Sequence, residues 1–321
     1  MNRTKLIIDT DPGIDDSRAI QFAFGSRQFD VLGLTTVYGN ANIELTTSNA
    51  LRLLYLLDQP DVPVARGAAH PLNSEFSGGV AFIHGDDGQG NTWAAEAPLK
   101  AIDLPAAEFI IKKINELPGE VTLAALGPLT NLALALQKDP EIQHKVKEVV
   151  FMGGNAFCAG NASPAAEANI LSDPEAADKV LGASWPITMV GLDVTHKTVL
   201  SRETFDEIAR NDSPINAHVT KAYLFYLDFF QRVNQMNGTY VHDSSVFAYL
   251  IKPGLYKTVK YPVRVETNGG ISKGKTWPAT VDTDNEERKT LKPWKNRPKI
   301  NICIDVDGEG VIQLLKNALT G

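Results

Sequence analysis

Lys5-Leu6-Ile7-Ile8-Asp9-Thr10-Asp11-Pro12-Gly13-Ile14-Asp15-Asp16 carries two structural signals and one chemical signal in a single short stretch. The apolar run through Leu6, Ile7 and Ile8 predicts a buried strand over Lys5 to Asp9. Thr10-Asp11-Pro12-Gly13 breaks that strand, because proline fixes its own φ and glycine admits a tight turn. A helical pattern then runs from Ile14 to about Phe24. Asp9, Asp11, Asp15 and Asp16 therefore gather where a strand ends and a helix begins, the place where open α/β folds bind ligands.

Outward from this stretch the alternation continues. Val31 to Tyr38 is rich in β-branched residues and suits a buried strand, and Gly39-Asn40 leads into a helix around Ile43 to Leu57. A helix around Ala106 to Asn115, a strand Val121 to Leu126, a short helix after Pro128 and a strand Val146 to Met152 follow. Ser172-Asp173-Pro174-Glu175 has the spacing of a capping box, with Ser172 as N-cap of a helix reaching about Leu181, and Ile187 to Gly191 supplies another strand. Parallel strands need crossover helices, so this order predicts an α/β fold: a mostly parallel central sheet with helices on both faces. The active site is expected at the carboxyl ends of the strands.

The second half reads as more helical, with helices around Arg202 to Arg210, Asn216 to Val233 and Ser244 to Leu250, then a strand Lys299 to Ile304 and a helix Glu309 to Leu319. Pro71 to Pro98 and Gly269 to Pro298 read as long loops, and the first contains Phe82 to Gly88, a candidate substrate-covering segment. With 321 residues and no internal repeat, the chain is expected to form a single domain over 1–321.

Composition narrows the function classes. A net charge of -7 argues against nucleic acid as the main partner, since that needs a basic footprint. The start of the chain has no secretory apolar region and no membrane span, so cytoplasmic residence and no membrane partner are expected. Cys158 and Cys303 are too few for a disulfide framework and lack zinc-site spacing.

The acidic cluster has two readings. A helix N-terminus favours one or two carboxylates by itself. Four in one turn region repel one another unless a cation or shared protons compensate, which points to a metal. Hard oxygen donors without convergent His or Cys suit calcium or magnesium, and calcium also accepts backbone carbonyls and a vicinal diol. A magnesium-dependent phosphatase with an aspartyl nucleophile is the rival; the chain has no Gly-Lys-Ser/Thr phosphate loop, and Pro12-Gly13 follows Asp11 where an acid-donating segment would open.

Asp9 to Asp16 resembles the signature of the inosine-uridine nucleoside hydrolase family. The resemblance extends in order through Thr35-Thr36-Val37-Tyr38-Gly39-Asn40, Leu126-Gly127-Pro128-Leu129-Thr130-Asn131, Met152-Gly153-Gly154, the spaced set Asn161, Glu167 and Asn169, Leu192-Asp193-Val194-Thr195, and His242-Asp243. It implies one calcium ion held by Asp11, Asp16, the carbonyl of Leu126 and Asp243, with the ribose 2- and 3-hydroxyls and a water completing its shell. Asp11 would be the general base for that water, Asp15 would orient water and sugar, and Asn169 would share the diol. Asn161 and Glu167 would bind the 5-hydroxyl end, and Asn40 would lie near the anomeric carbon. Asp9 would support the loop from behind. His242 would donate to the departing base, with structural packing as the alternative for a lone histidine.

The base pocket is harder to read. His84 has two open roles, substrate contact or solvent exposure. Tyr223, Tyr226, Phe229 and Phe230 could stack a base or simply form a buried helix face. Phe230 has no hydroxyl to donate, and Gly88-Gln89-Gly90 departs from the more apolar Gly-Leu-Gly of the family. Cys158 has no histidine paired with it nearby in sequence and reads as packing.

The expected activity is hydrolysis of the N-glycosidic bond of ribonucleosides to ribose and free base, with a broad purine and pyrimidine range and a homodimer or homotetramer as the assembly. The alternatives are a pyrimidine-specific hydrolase and a non-catalytic calcium-dependent nucleoside-binding protein.

Overall fold

The computed structural model describes residues 3–283 and 289–320. Strands run, in chain order, over β1 (Thr4–Thr10), β2 (Phe29–Thr36), β3 (Val64–Arg66), β4 (Val121–Ala125), β5 (Glu148–Met152), β6 (Ile187–Val190), β7 (Val199–Ser201), β8 (Gly238–Tyr240), β9 (Tyr256–Val265), β10 (Thr276–Pro278) and β11 (Lys299–Val306). Nine of them form one sheet in the order β10-β9-β11-β6-β5-β4-β1-β2-β3, while β7 and β8 pair separately. From β3 across to β11 every neighbouring pair is parallel, and β9 runs antiparallel to both β11 and β10. The chain thus has the largely parallel α/β architecture expected.

Alternation along each strand divides the core between the two faces. In β1, Leu6 and Ile8 pack with the helices Ile14–Gly25, Ile43–Leu56, Pro214–Asn234, Ser244–Ile251 and Gly308–Thr320. Ile7, between them, points into the opposite layer beneath Ala106–Glu116, Thr130–Lys138 and Pro174–Leu181. Both faces are dry, which is why these strands read as continuous apolar runs.

Register then sets the site. Asp9 in β1 stands beside Thr35 of β2 on one side and Ala125 of β4 on the other, and Ala125 stands beside Phe151 of β5. The loops leaving these strands, at Asp11, Tyr38, Leu126 and Gly153, open in one row along the carboxyl edge.

Several local expectations change. Asp173, not Ser172, caps the helix Pro174–Leu181, its Oδ1 accepting from the Ala176 N–H at 3.0 Å. Ser172 instead ends a short helix, Ala168–Ser172, and its hydroxyl donates to the Ala168 carbonyl. The 71–98 stretch contains a short helix, Ala81–His84, and the 269–298 stretch contains β10; residues 284–288 lie outside the described residues. Strand β9 escaped the sequence reading, because Tyr-Lys-Thr-Val-Lys-Tyr-Pro-Val-Arg-Val is polar along much of its length and carries Pro262.

Candidate active site

The turn after β1 aims its carboxylates through backbone contacts. Asp16 closes the start of the helix Ile14–Gly25: its Oδ2 accepts from the Gly13 N–H at 3.1 Å and from Asn40 Nδ2 at 2.9 Å, while its Oδ1 accepts from the Thr10 hydroxyl at 2.5 Å. Asp11 Oδ2 accepts from the Asn40 N–H at 2.7 Å, and its Oδ1 is buried with no hydrogen-bond partner among the described residues. Two glycines make room for this carboxylate. A Cβ at Gly39 would stand 2.0 Å from Asp11 Oδ2, and one at Gly127 would stand 2.3 Å from Oδ1. Asp9 faces away from the turn, its Oδ1 accepting from Thr35 at 2.5 Å and Asn131 at 2.8 Å. Asp9 thus ties β1 to β2 and to the helix Thr130–Lys138.

Carboxylate oxygens of Asp15, Asp16 and Asp243 lie within 4.8 Å of one another. Asp11 is outside that tightest group, yet its charge acts on Asp243 along with those of Asp15, Asp16 and Glu167. Burial first, and then this mutual repulsion, holds Asp243 well above the usual carboxylate range. The same two causes act on Asp11, with Asp16 as the strongest neighbouring charge, and burial pushes Asp15 up to about 6. Such a group is stable only if protons or a cation neutralise it. The orphaned oxygen of Asp11 and the all-oxygen donor set fit a divalent cation.

Other expected ligands converge on the same edge of the sheet. The Leu126 carbonyl accepts from Asn169 Nδ2 at 2.6 Å, so those two groups meet directly. Glu167 is 2% exposed and caps its own helix, accepting from the N–H groups of Asn169, Ile170 and Gly154. Asn161 is exposed and spends its side-chain carbonyl on the Ala168 N–H at 3.0 Å, with no hydrogen bond from its NH₂ group among the described residues.

Opposite the carboxylates stands an array of rings. Tyr226 stacks on His84, meets Phe230 edge to face, and donates to Asp15 at 3.4 Å. Phe230 continues to Tyr240, and Tyr240 to both His196 and His242. His84 is 5% exposed, which removes the solvent-exposed reading of it, and its Nδ1 accepts from the Ile14 N–H at 3.1 Å. His242 Nδ1 lies 2.9 Å from the Thr195 hydroxyl. Burial pushes His84 down to about 4 and His242 to about 3, so both are neutral rings at physiological pH. Sequence reasoning gives no site role to Thr195, His196 or Tyr240; the place of Thr195 in the Leu192-Asp193-Val194-Thr195 motif and the adjacency of Tyr240 to the His242-Asp243 pair are the available signals. Cys158 is partly buried and its thiol is pushed up to about 11 by burial, so it is not a thiolate nucleophile. No described helix is long and apolar enough to cross a membrane.

A profile of the family described as "Inosine-uridine preferring nucleoside hydrolase" matches residues 6–313. Uridine nucleosidase 1 of Arabidopsis thaliana is 41% identical over 315 residues, 98% of this chain and 93% of that protein. The pyrimidine-specific ribonucleoside hydrolase RihA of Salmonella arizonae is 37% identical, covering 98% of this chain and 97% of its own. Among solved structures, the plant nucleoside hydrolase PpNRh1 superposes with a TM-score of 0.95 at 39% identity and full coverage of both chains. A purine-preferring ribonucleoside hydrolase from Gardnerella vaginalis follows with a TM-score of 0.90 at 30% identity, covering 99% of this chain and 98% of its own. The broad purine and pyrimidine range expected from sequence is overturned here, because the relatives of higher identity are named for uridine or pyrimidine substrates.

Proposed function

Since the chain belongs to the inosine-uridine preferring nucleoside hydrolase family and is an N-ribosylhydrolase, we propose that it is a pyrimidine ribonucleoside hydrolase with uridine as its preferred substrate. The observation that carries this reading is the 41% identity, over nearly the full length of both chains, to a uridine nucleosidase. Purine-named structures lie at 30% and 28% identity.

Calcium is the cofactor we assign. Asp11, Asp16, Asp243 and the Leu126 carbonyl would hold it, with Asp15 beside them. When bound, such an ion neutralises the cluster, binds a vicinal diol and makes a neighbouring water more acidic.

The remaining steps belong to side chains. Asp11, whose free oxygen is held in place by the Asn40 N–H on its other oxygen, takes a proton from the attacking water as oxygen bonds to the anomeric carbon. Asp15 and Asn40 orient the water and the reacting end of the sugar, Asn169 the diol, and Asn161 and Glu167 the 5-hydroxyl. The N-glycosidic bond breaks with its electron pair leaving on the base, while positive charge on the ribose ring is stabilised by the surrounding carboxylates. His242 and His84, both neutral, donate hydrogen bonds to the base as it gains negative charge; the base leaves as a hydrogen-bonded anion and is protonated by solvent water, while the proton that Asp11 took from the attacking water returns to solvent. The products are ribose and free pyrimidine.

Incubation with uridine, cytidine and inosine, with and without added calcium, tests the proposal by following free ribose. Uridine should be cleaved fastest and only with the metal; inosine cleaved as fast as uridine would overturn the pyrimidine assignment. We further assign one domain over 1–321, a homodimer or homotetramer and cytoplasmic residence, checked by limited proteolysis, light scattering and cell fractionation.

A further inference from the structure

Gln89 is a fully buried primary amide at the centre of Gly88-Gln89-Gly90. Out of reach of water, such a group needs partners for both ends. Its Oε1 accepts from His218 Nε2 at 3.1 Å and lies 3.0 Å from Ser17 Oγ, whose proton goes to the Gly13 carbonyl at 2.6 Å. Its Nε2 stands 2.9 Å from the Gly13 carbonyl, 3.1 Å from the Pro12 carbonyl, 3.1 Å from the Gly88 carbonyl and 2.9 Å from Ser17 Oγ. Three backbone carbonyls on one end can face only the NH₂ group, so the amide has one orientation.

The Gly13–Ile14 peptide is gripped at both ends. Gln89 donates to its carbonyl, and its N–H donates to Nδ1 of His84. Beside Gln89, the Gly90 N–H donates to the His84 carbonyl at 2.7 Å. Gly13 itself is demanded by this closeness, since a Cβ there would stand 2.7 Å from His84 Nδ1 and 2.6 Å from Asn40 Nδ2. A backbone N–H can only donate. Nδ1 of His84 is therefore the unprotonated nitrogen, and the neutral ring carries its proton on Nε2, which has no hydrogen-bond partner among the described residues.

We propose that Gln89 is a positioning residue for leaving-base activation: by orienting the Gly13–Ile14 peptide, it holds His84 as the Nε2–H tautomer that donates to the departing base. This rests on the reading of His84 as a base contact. Gln89 touches neither sugar nor base; it acts through the peptide. The Gly13 carbonyl also accepts from the Ser17 N–H and hydroxyl, and the Pro12 carbonyl from Asn49, so loss of the amide weakens the arrangement without emptying it.

Gln89→Met keeps the length and volume of the side chain and removes its hydrogen bonds. Four proteins, the wild type, Gln89→Met, His84→Ala and the double variant, are assayed on uridine and on 4-nitrophenyl riboside, whose leaving group needs no proton. Gln89→Met should lower kcat on uridine about tenfold with KM nearly unchanged, the size expected of one hydrogen-bonding arrangement. His84→Ala should cost about a hundredfold as a lost donor, and the double variant should be no slower than His84→Ala alone. The nitrophenyl riboside should be cleaved at near wild-type rate throughout. Long-range proton–nitrogen NMR of His84 gives a readout independent of turnover: Nε2–H in the wild type, a mixture of tautomers in Gln89→Met.

Equal slowing of both substrates by Gln89→Met, losses that multiply in the double variant, or an unchanged tautomer would overturn the role of Gln89 while leaving His84 as a base contact. Full uridine turnover in His84→Ala would overturn that contact and the Gln89 proposal with it.

Discussion

The two parts of the site to which we assign the sugar and the base, the carboxylate turn and the ring array, are built on different principles. On the sugar side, Asp9, Asp11, Asp16, Asn40 and Leu126 sit at strand ends or within a few residues of them, Asn169 is tied to that edge through the Leu126 carbonyl, and most of their polar atoms are fastened to backbone or to neighbouring side chains. On the base side, His84 comes from a short helix inside a long connection, Tyr226 and Phe230 from the helix Pro214–Asn234, and His242 from the segment after β8. Those rings meet mainly by packing, with centroids 4.8 to 5.9 Å apart. A sheet edge imposes one geometry on the charges, whereas packed rings on separate elements can be exchanged singly. Chemistry should therefore be brittle on the sugar side and graded on the base side.

The sharpest break should come at Asp11. Asp11→Ala removes the proposed general base, worth roughly 10²- to 10⁴-fold, and a metal ligand as well, so turnover should fall beyond that range. Rate and calcium content must be measured together. Near-normal turnover at saturating calcium would move the base to another carboxylate, with Asp15 first in line.

Removing the metal tests the sugar side as a whole. Chelation should abolish turnover and lower the melting temperature, because an ion that binds only the folded chain stabilises it by about 2.7 kcal/mol at a hundred times its dissociation constant. A melting temperature indifferent to calcium would mean that protons, not a cation, neutralise Asp11, Asp15, Asp16 and Asp243.

On the base side, His242→Ala should slow uridine cleavage about a hundredfold and nitrophenyl riboside cleavage little, as expected for a donor that acts while charge builds on the leaving group. Equal losses on both substrates would assign His242 to holding Asp243, its chain neighbour, rather than to the base.

The same division explains what could be read in advance. The strands β1, β2, β4, β5 and β6 and the acidic turn were legible because buried parallel strands are continuous apolar runs and the turn residues are contiguous. Strand β9 was not, since it sits near the sheet's antiparallel margin and keeps polar residues along its solvent-facing positions. The N-cap at Asp173 differed by one residue from the predicted Ser172, because both residue types cap helices and Pro174 suits the first helical position after either. In the site, charge density made the carboxylates visible. The ring array was opaque: the three- and four-residue spacing of Tyr223, Tyr226 and Phe230 describes a buried helix face equally well, and the structure shows that all three are buried and that Tyr226 also reaches Asp15. Substrate preference was not legible in the residues, because a donor such as His242 does not by itself distinguish a purine from a pyrimidine.

The smallest expected effect is at that join between the two sides. Tyr226 donates to Asp15 at 3.4 Å, a long hydrogen bond, while its ring stacks on His84 and meets Tyr223 and Phe230 edge to face. Tyr226→Phe deletes the hydroxyl and keeps every ring contact. Asp15 is partly exposed and can recruit water in its place, so the loss should be near the low end for a single hydrogen bond, about 0.5 kcal/mol, or a little over twofold in kcat/KM for uridine. Tyr226→Ala removes the ring as well, opening the packing around His84, and should cost far more. If Tyr226→Phe were as damaging as Tyr226→Ala, the hydroxyl would be setting the position or charge of Asp15, and the base side would share the rigidity of the sheet edge. A Tyr226→Phe variant close to wild type beside a crippled Tyr226→Ala would keep the two sides distinct, joined there by packing alone.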